Sequence, residues 1–130
     1  MSAPMGRRSE PVRLNEIDFE GSQPPVDGYG PGGFRVAGAW HKGGLLILPG
    51  GVQTGDLSPE GIAPLLTEAE GIDVLLIGTG AEIAHLPASL AKALESTQIG
   101  VETMSTPSAC RTYNVLLAED RRVALLALAV

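Results

Sequence analysis

Apolar and polar positions along this chain follow two rhythms, a period of two and a period near 3.6, and the changes between them mark its elements. Residues 1–11 are polar and proline-containing and read as a disordered tail ahead of a single domain at 12–130. From Val12 to Glu20 a loose alternation allows a strand, with a slip of phase near Asn15. Gly21 to Gly33 is crowded with Gly and Pro and runs into GYGPGGF at 28–34, which predicts a loop, with Phe34 plugging it into the core. Strands around 34–40, 44–48 and 51–55 should follow, split by His41-Lys42-Gly43-Gly44 and by Pro49-Gly50-Gly51. Together they predict an N-terminal β-meander.

The helical rhythm begins at Ser58-Pro59, a start signal in which serine accepts an N–H of the first turn and proline has no donor to lose. Ile62, Leu65, Leu66 and Ala69 then share one face. Pro64 conflicts with a helix beginning so early, which leaves a kinked or a late-starting helix, ended by Gly71. Asp73-Val74-Leu75-Leu76-Ile77 has the continuous apolar character of a strand buried on both faces. A helix from Pro87 to about Thr97, a strand at 100–104, a helix from about Pro107 to Glu119 and a strand from about Arg122 complete the chain. Alternation of strands with helices predicts right-handed crossovers and parallel βαβ units.

Composition narrows the class. The 130 residues are 44% hydrophobic and only 4% aromatic, so the core is aliphatic. A net charge of −6 argues against nucleic acid as a partner. The apolar run Val123 to Val130 is too short to cross a bilayer as a helix, and the N-terminus has no signal-peptide core behind Arg7 and Arg8, so neither membrane insertion nor secretion is expected. One cysteine, Cys110, excludes an internal disulfide and suits a reducing compartment, and the localisation expected is the cytoplasm.

Candidate chemistry gathers where the strand at 73–77 meets Gly78-Thr79-Gly80, since α/β proteins hold ligands at the carboxyl edge of the sheet. A dinucleotide fingerprint would want glycine at position 83, which is Ile83, and no phosphate-loop lysine is present. Cys110 near a helix start is a candidate thiolate, set against ordinary core packing. His41 and His85 lack metal-ligand spacing, so no metal and no cofactor are expected. Arg111, Tyr113 and Asn114 form the most unusual polar group. Structurally, Arg111 would pair with Glu82 or Glu102, Asn114 would bond backbone, and Tyr113 would bury its ring. Functionally, Arg111 and Asn114 would share a crevice with Thr79 and hold an anionic small molecule or a partner's carboxylate. No nucleophile with an oriented base is apparent, so no catalytic residue is assigned and an enzyme is the less favoured reading.

GYGPGGF at 28–34, DVLLIGTG at 73–80 and GVETMSTPSACRTYNVLLAEDRRVA at 100–124 resemble a known small domain. It is shared by mitochondrial respiratory complex I assembly factor 3, the adipogenesis-associated Mth-domain proteins and many uncharacterised bacterial proteins. The resemblance runs from about Glu16 to Val130. It implies a three-layer α/β fold with a mixed central sheet, and a turn at Gly78–Gly80 facing the helix of Arg111 and Asn114. The family pattern commonly has aspartate where Ser105 stands and glycine where Asp120 stands. For function the resemblance implies an assembly-factor-like module that works by protein contacts. The reading is therefore a binding domain with a protein partner, and a homo-oligomer is compatible with the apolar C-terminal strand. The alternative is a small-molecule binder or an enzyme at Gly78, Thr79, Gly80, Arg111 and Asn114.

Overall fold

The computed structural model describes residues 23–130; the strand expected within 12–20 and the tail at 1–11 lie outside them. A first sheet is a true meander of β1 (Val26–Gly30), β2 (Gly33–Val36) and β3 (Ala39–Lys42), each antiparallel to the next. Two expectations are corrected here. The loop foreseen up to Gly33 contains β1, and the single strand foreseen at 34–40 is cut by a two-residue turn. At that turn Ala37 and Gly38 both have positive φ (52° and 79°), the geometry that matches the twist of a hairpin. Glycine density concealed β1 because its alternate outward positions are glycines rather than polar side chains.

The next two strands, β4 (Leu45–Leu48) and β5 (Gly51–Thr54), do not extend the meander. They join β6 (Val74–Gly78), β7 (Gly100–Met104) and β8 (Val123–Ala127) in a five-stranded sheet of order β5-β4-β8-β6-β7. The sheet is mixed: β6 runs parallel to β7 and β8, and β4 runs antiparallel to β5 and β8. All five residues of β8 are buried, as an interior strand demands.

Helix α1 covers only Ala63–Thr67, which resolves the conflict at Pro64: the proline stands in the first turn, where its missing N–H costs no helical bond. Ser58 does not cap that helix; its Oγ accepts from the Gly61 amide in a turn ahead of it. A 3₁₀ turn at Ala69–Gly71 leads into β6. Helix α2 (Ala88–Glu95) and helix α3 (Thr106–Ala118) lie close to the boundaries read from sequence.

Alternation along the central strands divides the core in two. Leu75 and Ile77 of β6 and Leu126 of β8 join Ile62, Leu65, Leu90 and Leu94 beneath α1 and α2. On the other face Leu76 and Leu125 meet Ala109, Cys110 and Tyr113 of α3 together with Phe34 and Val36 of the meander. The result is three layers, with α3 and the small sheet covering one face. Truncating a fully buried leucine such as Leu125 to alanine would cost about 2–5 kcal/mol.

Candidate functional site

The turn after β6 is built by contact with α3. A Cβ at Gly78 would lie 2.7 Å from Thr106 Cα, so glycine is what lets the helix start approach the strand end. Thr106 is fully buried, and its hydroxyl accepts from the Gly80 amide (2.9 Å) while donating to the Leu128 carbonyl (2.7 Å). Its own amide donates to the Gly80 carbonyl at 2.7 Å. Three segments thus close on one side chain that the sequence reading passed over. The Thr-Pro pair opening the helix was the available signal.

Thr79 is occupied in the same way. Its hydroxyl donates to the Glu82 carbonyl at 2.9 Å, lies 3.3 Å from the Met104 carbonyl, and accepts from the Ala84 amide at 2.9 Å. It therefore organises the loop after β6. That loop presents Ile83 at 65% exposure, beside a shallow depression of about 290 Å³ lined by Ile83, Ala84, His85, Leu86 and Thr103.

Further along α3 the polar residues turn to the meander. Asn114 grips Val26 twice, its Oδ1 accepting from the amide and its Nδ2 donating to the carbonyl, both at 2.8 Å. The side-chain amide acts as a strand partner would. Tyr113 is fully buried and its OH donates to the Pro24 carbonyl at 2.7 Å, while burial pushes its pKa far above the ordinary range. Arg111 is exposed, and among the described residues neither Glu82 nor Glu102 pairs with it. Val115, one turn on, is 52% exposed.

The structure thus brings Gly78, Thr79 and Gly80 together with the first turn of α3. Asn114 stands eight positions beyond Thr106, about 12 Å along the axis, and is bonded to β1. Neither described depression is lined by Arg111 or Asn114. The larger, an open groove of about 1130 Å³, lies at the opposite end of β6, between Glu68, Glu70, Asp73, Thr97 and Arg122. There Arg122 makes a two-pronged contact with Asp73 (2.7 and 3.2 Å), which lowers the carboxyl pKa chiefly through that hydrogen bond. Cys110 packs in the core under α3, and burial pushes its thiol up to about 11, so it is not an activated thiolate. Among the described residues no group of His, Cys, Asp and Glu is arranged to hold a metal, and no helix is long and apolar enough to cross a membrane.

A five-stranded mixed sheet with helices on both faces and a small antiparallel sheet beside α3 defines a single α/β domain. Residues 26–128 match the model of a protein family of unknown function, DUF498/DUF598, and the chain belongs to that family. It is 33% identical over 102 residues to NADH dehydrogenase (ubiquinone) 1 alpha subcomplex assembly factor 3 of Danio rerio. That match covers 74% of this chain and 59% of the factor, so the chain spans well under two-thirds of that relative's length. A solved structure described as an outer membrane protein from Bartonella henselae superposes with a TM-score of 0.78 at 47% identity, covering 87% of this chain and 99% of the other. A Mth938-like domain from Bordetella pertussis superposes with a TM-score of 0.64 at 27% identity, covering 90% and 92%. The resemblance read from residues 28–34, 73–80 and 100–124 is thereby confirmed at the level of family and fold.

Proposed function

We propose that this domain is a protein-binding, assembly-factor-like module that works by contact rather than by catalysis. One observation carries the reading: of the hydrogen-bonding side chains foreseen as a ligand crevice, Thr79 is spent on its own loop and Asn114 on β1, while the neighbouring Thr106 is spent on two backbone segments. Kinship with a complex I assembly factor supports the same direction. Arg111 and Val115, exposed one turn apart on α3, are available to a partner. The module is proposed to act in the cytoplasm, a location that the description of the Bartonella relative puts to the test.

Affinity purification of the full chain at native expression level should recover a stoichiometric protein partner, weakened by Arg111→Glu. Fractionation of the same cells should find both in the soluble cytoplasmic fraction. Failure to recover a partner under several conditions refutes the module. A thermal-shift screen with nucleotides, carboxylates and phosphates supplies the contrary outcome, because a ligand at ~100 times its Kd stabilises by about 2.7 kcal/mol. A shift lost in Thr79→Val, Arg111→Ala or Asn114→Ala would instead assign the domain to small-molecule binding at those residues.

A further inference from the structure

The outward face of the meander has an unusual construction. Register pairs Gly28 with Arg35 and Arg35 with Trp40, and Gly30 with Gly33 and Gly33 with Lys42, so these six residues share one face. Phe34 and Val36 point the other way, into the core. The only tryptophan of the chain, Trp40, lays its indole over the glycines: a Cβ at Gly33 would lie 2.7 Å from Cζ2, and one at Gly30 would lie 3.7 Å from Cη2. The ring is held flat on backbone, yet remains 49% exposed. Arg35 and Lys42 are exposed beside it.

The charge of this face is opposite to that of the molecule. The three strands of the meander carry Arg35 and Lys42 against one carboxylate, Asp27, which accepts from the Gly38 amide at 3.4 Å, in a chain whose net charge is −6. A fixed aromatic plane flanked by two cations is the surface type on which Trp and Arg act as binding anchors. It suits a segment that offers an apolar side chain to the indole and carboxylates to the flanking cations. Among the described residues strand β3 is also the edge of its sheet, where an extended segment can lie alongside. Two cations within a strongly acidic molecule are a poor match for a nucleic acid strand.

Resting on the module reading above, we propose that the glycine-bedded face of Trp40, Arg35 and Lys42 is the docking surface, and that its occupant is an extended acidic segment of a partner protein bearing an apolar residue. Trp40 is also the probe, since tryptophan emission from this chain reports on this face alone.

Random short peptides displayed on phage are selected against the full chain, and the winners are synthesised and titrated against its fluorescence. The winners are expected to be net acidic with an apolar residue, to shift the emission, and to bind more weakly as salt rises. Binding should weaken about tenfold or more in Arg35→Glu and Lys42→Glu, and in Trp40→Ala followed by peptide anisotropy, with far-UV circular dichroism confirming that each variant folds. Lys92→Glu, exposed on α2 across the sheet, should leave it unchanged. Neutral or basic winners, no winners, indifference to all three substitutions, tighter binding of oligothymidylate than of any peptide, or dimerisation abolished by Trp40→Ala would each overturn the proposal. A cellular partner that Arg35→Glu and Trp40→Ala still retain would overturn this surface while leaving the module intact; absence of any partner would remove the module itself.

Discussion

Replacing Thr106 by valine keeps the shape of the side chain and deletes the hydroxyl on which the turn after β6 and the end of β8 converge. Two hydrogen bonds disappear, from the Gly80 amide at 2.9 Å and to the Leu128 carbonyl at 2.7 Å. Each is worth about 1 kcal/mol net, and the larger effect is that both backbone groups lose their partner in a site that valine's methyl seals. Because Gly80 and Leu128 are half-buried and can recover some hydration, the total should be about 2–3 kcal/mol. Thr106→Ser retains the hydroxyl and removes one methyl, a loss of about 1 kcal/mol. Urea unfolding should show the valine variant with a lowered midpoint and unchanged slope, and the serine variant between it and the parent. Amide exchange supplies an independent reading: the Gly80 N–H should exchange much faster in the valine variant only. A valine variant within about 0.5 kcal/mol of the parent, or a serine variant equally damaged, would refute the assignment of the hydroxyl as the fastening point.

Other outcomes are expected from α3 and its surroundings. Asp120→Gly should stabilise by about 1 kcal/mol in urea unfolding, because Asp120 has φ of 61° just past the helix end. There the Asp120 amide donates to Leu117 and the Arg121 amide to Leu116, the closing turn that favours glycine. Asn114→Leu should cost about 2 kcal/mol and speed exchange of the Val26 amide, since both backbone groups of Val26 lose their partner. Folded protein should react slowly with iodoacetamide at neutral pH. The Cys110 thiol has an ordinary value of 9.0 and a folded value of about 11, so between these the unfolded chain holds fewer protons than the folded one. Stability should therefore fall as pH rises from 9 to 11, and less steeply in Cys110→Ala.

Helices α2 and α3, the strand at 74–78 and the closing strand were legible because continuous apolar runs and 3.6-residue spacing carry through to burial. The meander was only partly so. Where outward positions of β1 and β2 include Gly28, Gly30 and Gly33, glycine reads as a loop, although at Gly33 it makes room for the His41 carbonyl and the Trp40 indole of the neighbouring strand. The hairpin at Ala37–Gly38 was hidden because alanine gives no sign that it adopts positive φ. At the turn after β6, the sequence identified the right bend but not the destination of its polar groups. Thr79 turns to Glu82 and Ala84 of its own loop, and the partners of Thr106 are backbone atoms of residues 80 and 128, a meeting that no local pattern encodes.

Strand β8 stands in the middle of the five-stranded sheet, hydrogen-bonded to β4 on one side and β6 on the other, although it follows both of them, and every other described element, along the chain. During translation the two halves of the sheet have nothing to join them until residues 123–127 leave the ribosome, so the nascent chain must wait with both flanking edges and two half-cores open. Premature termination anywhere before Val123 would release a polypeptide with its keystone missing, prone to pair those edges with other chains.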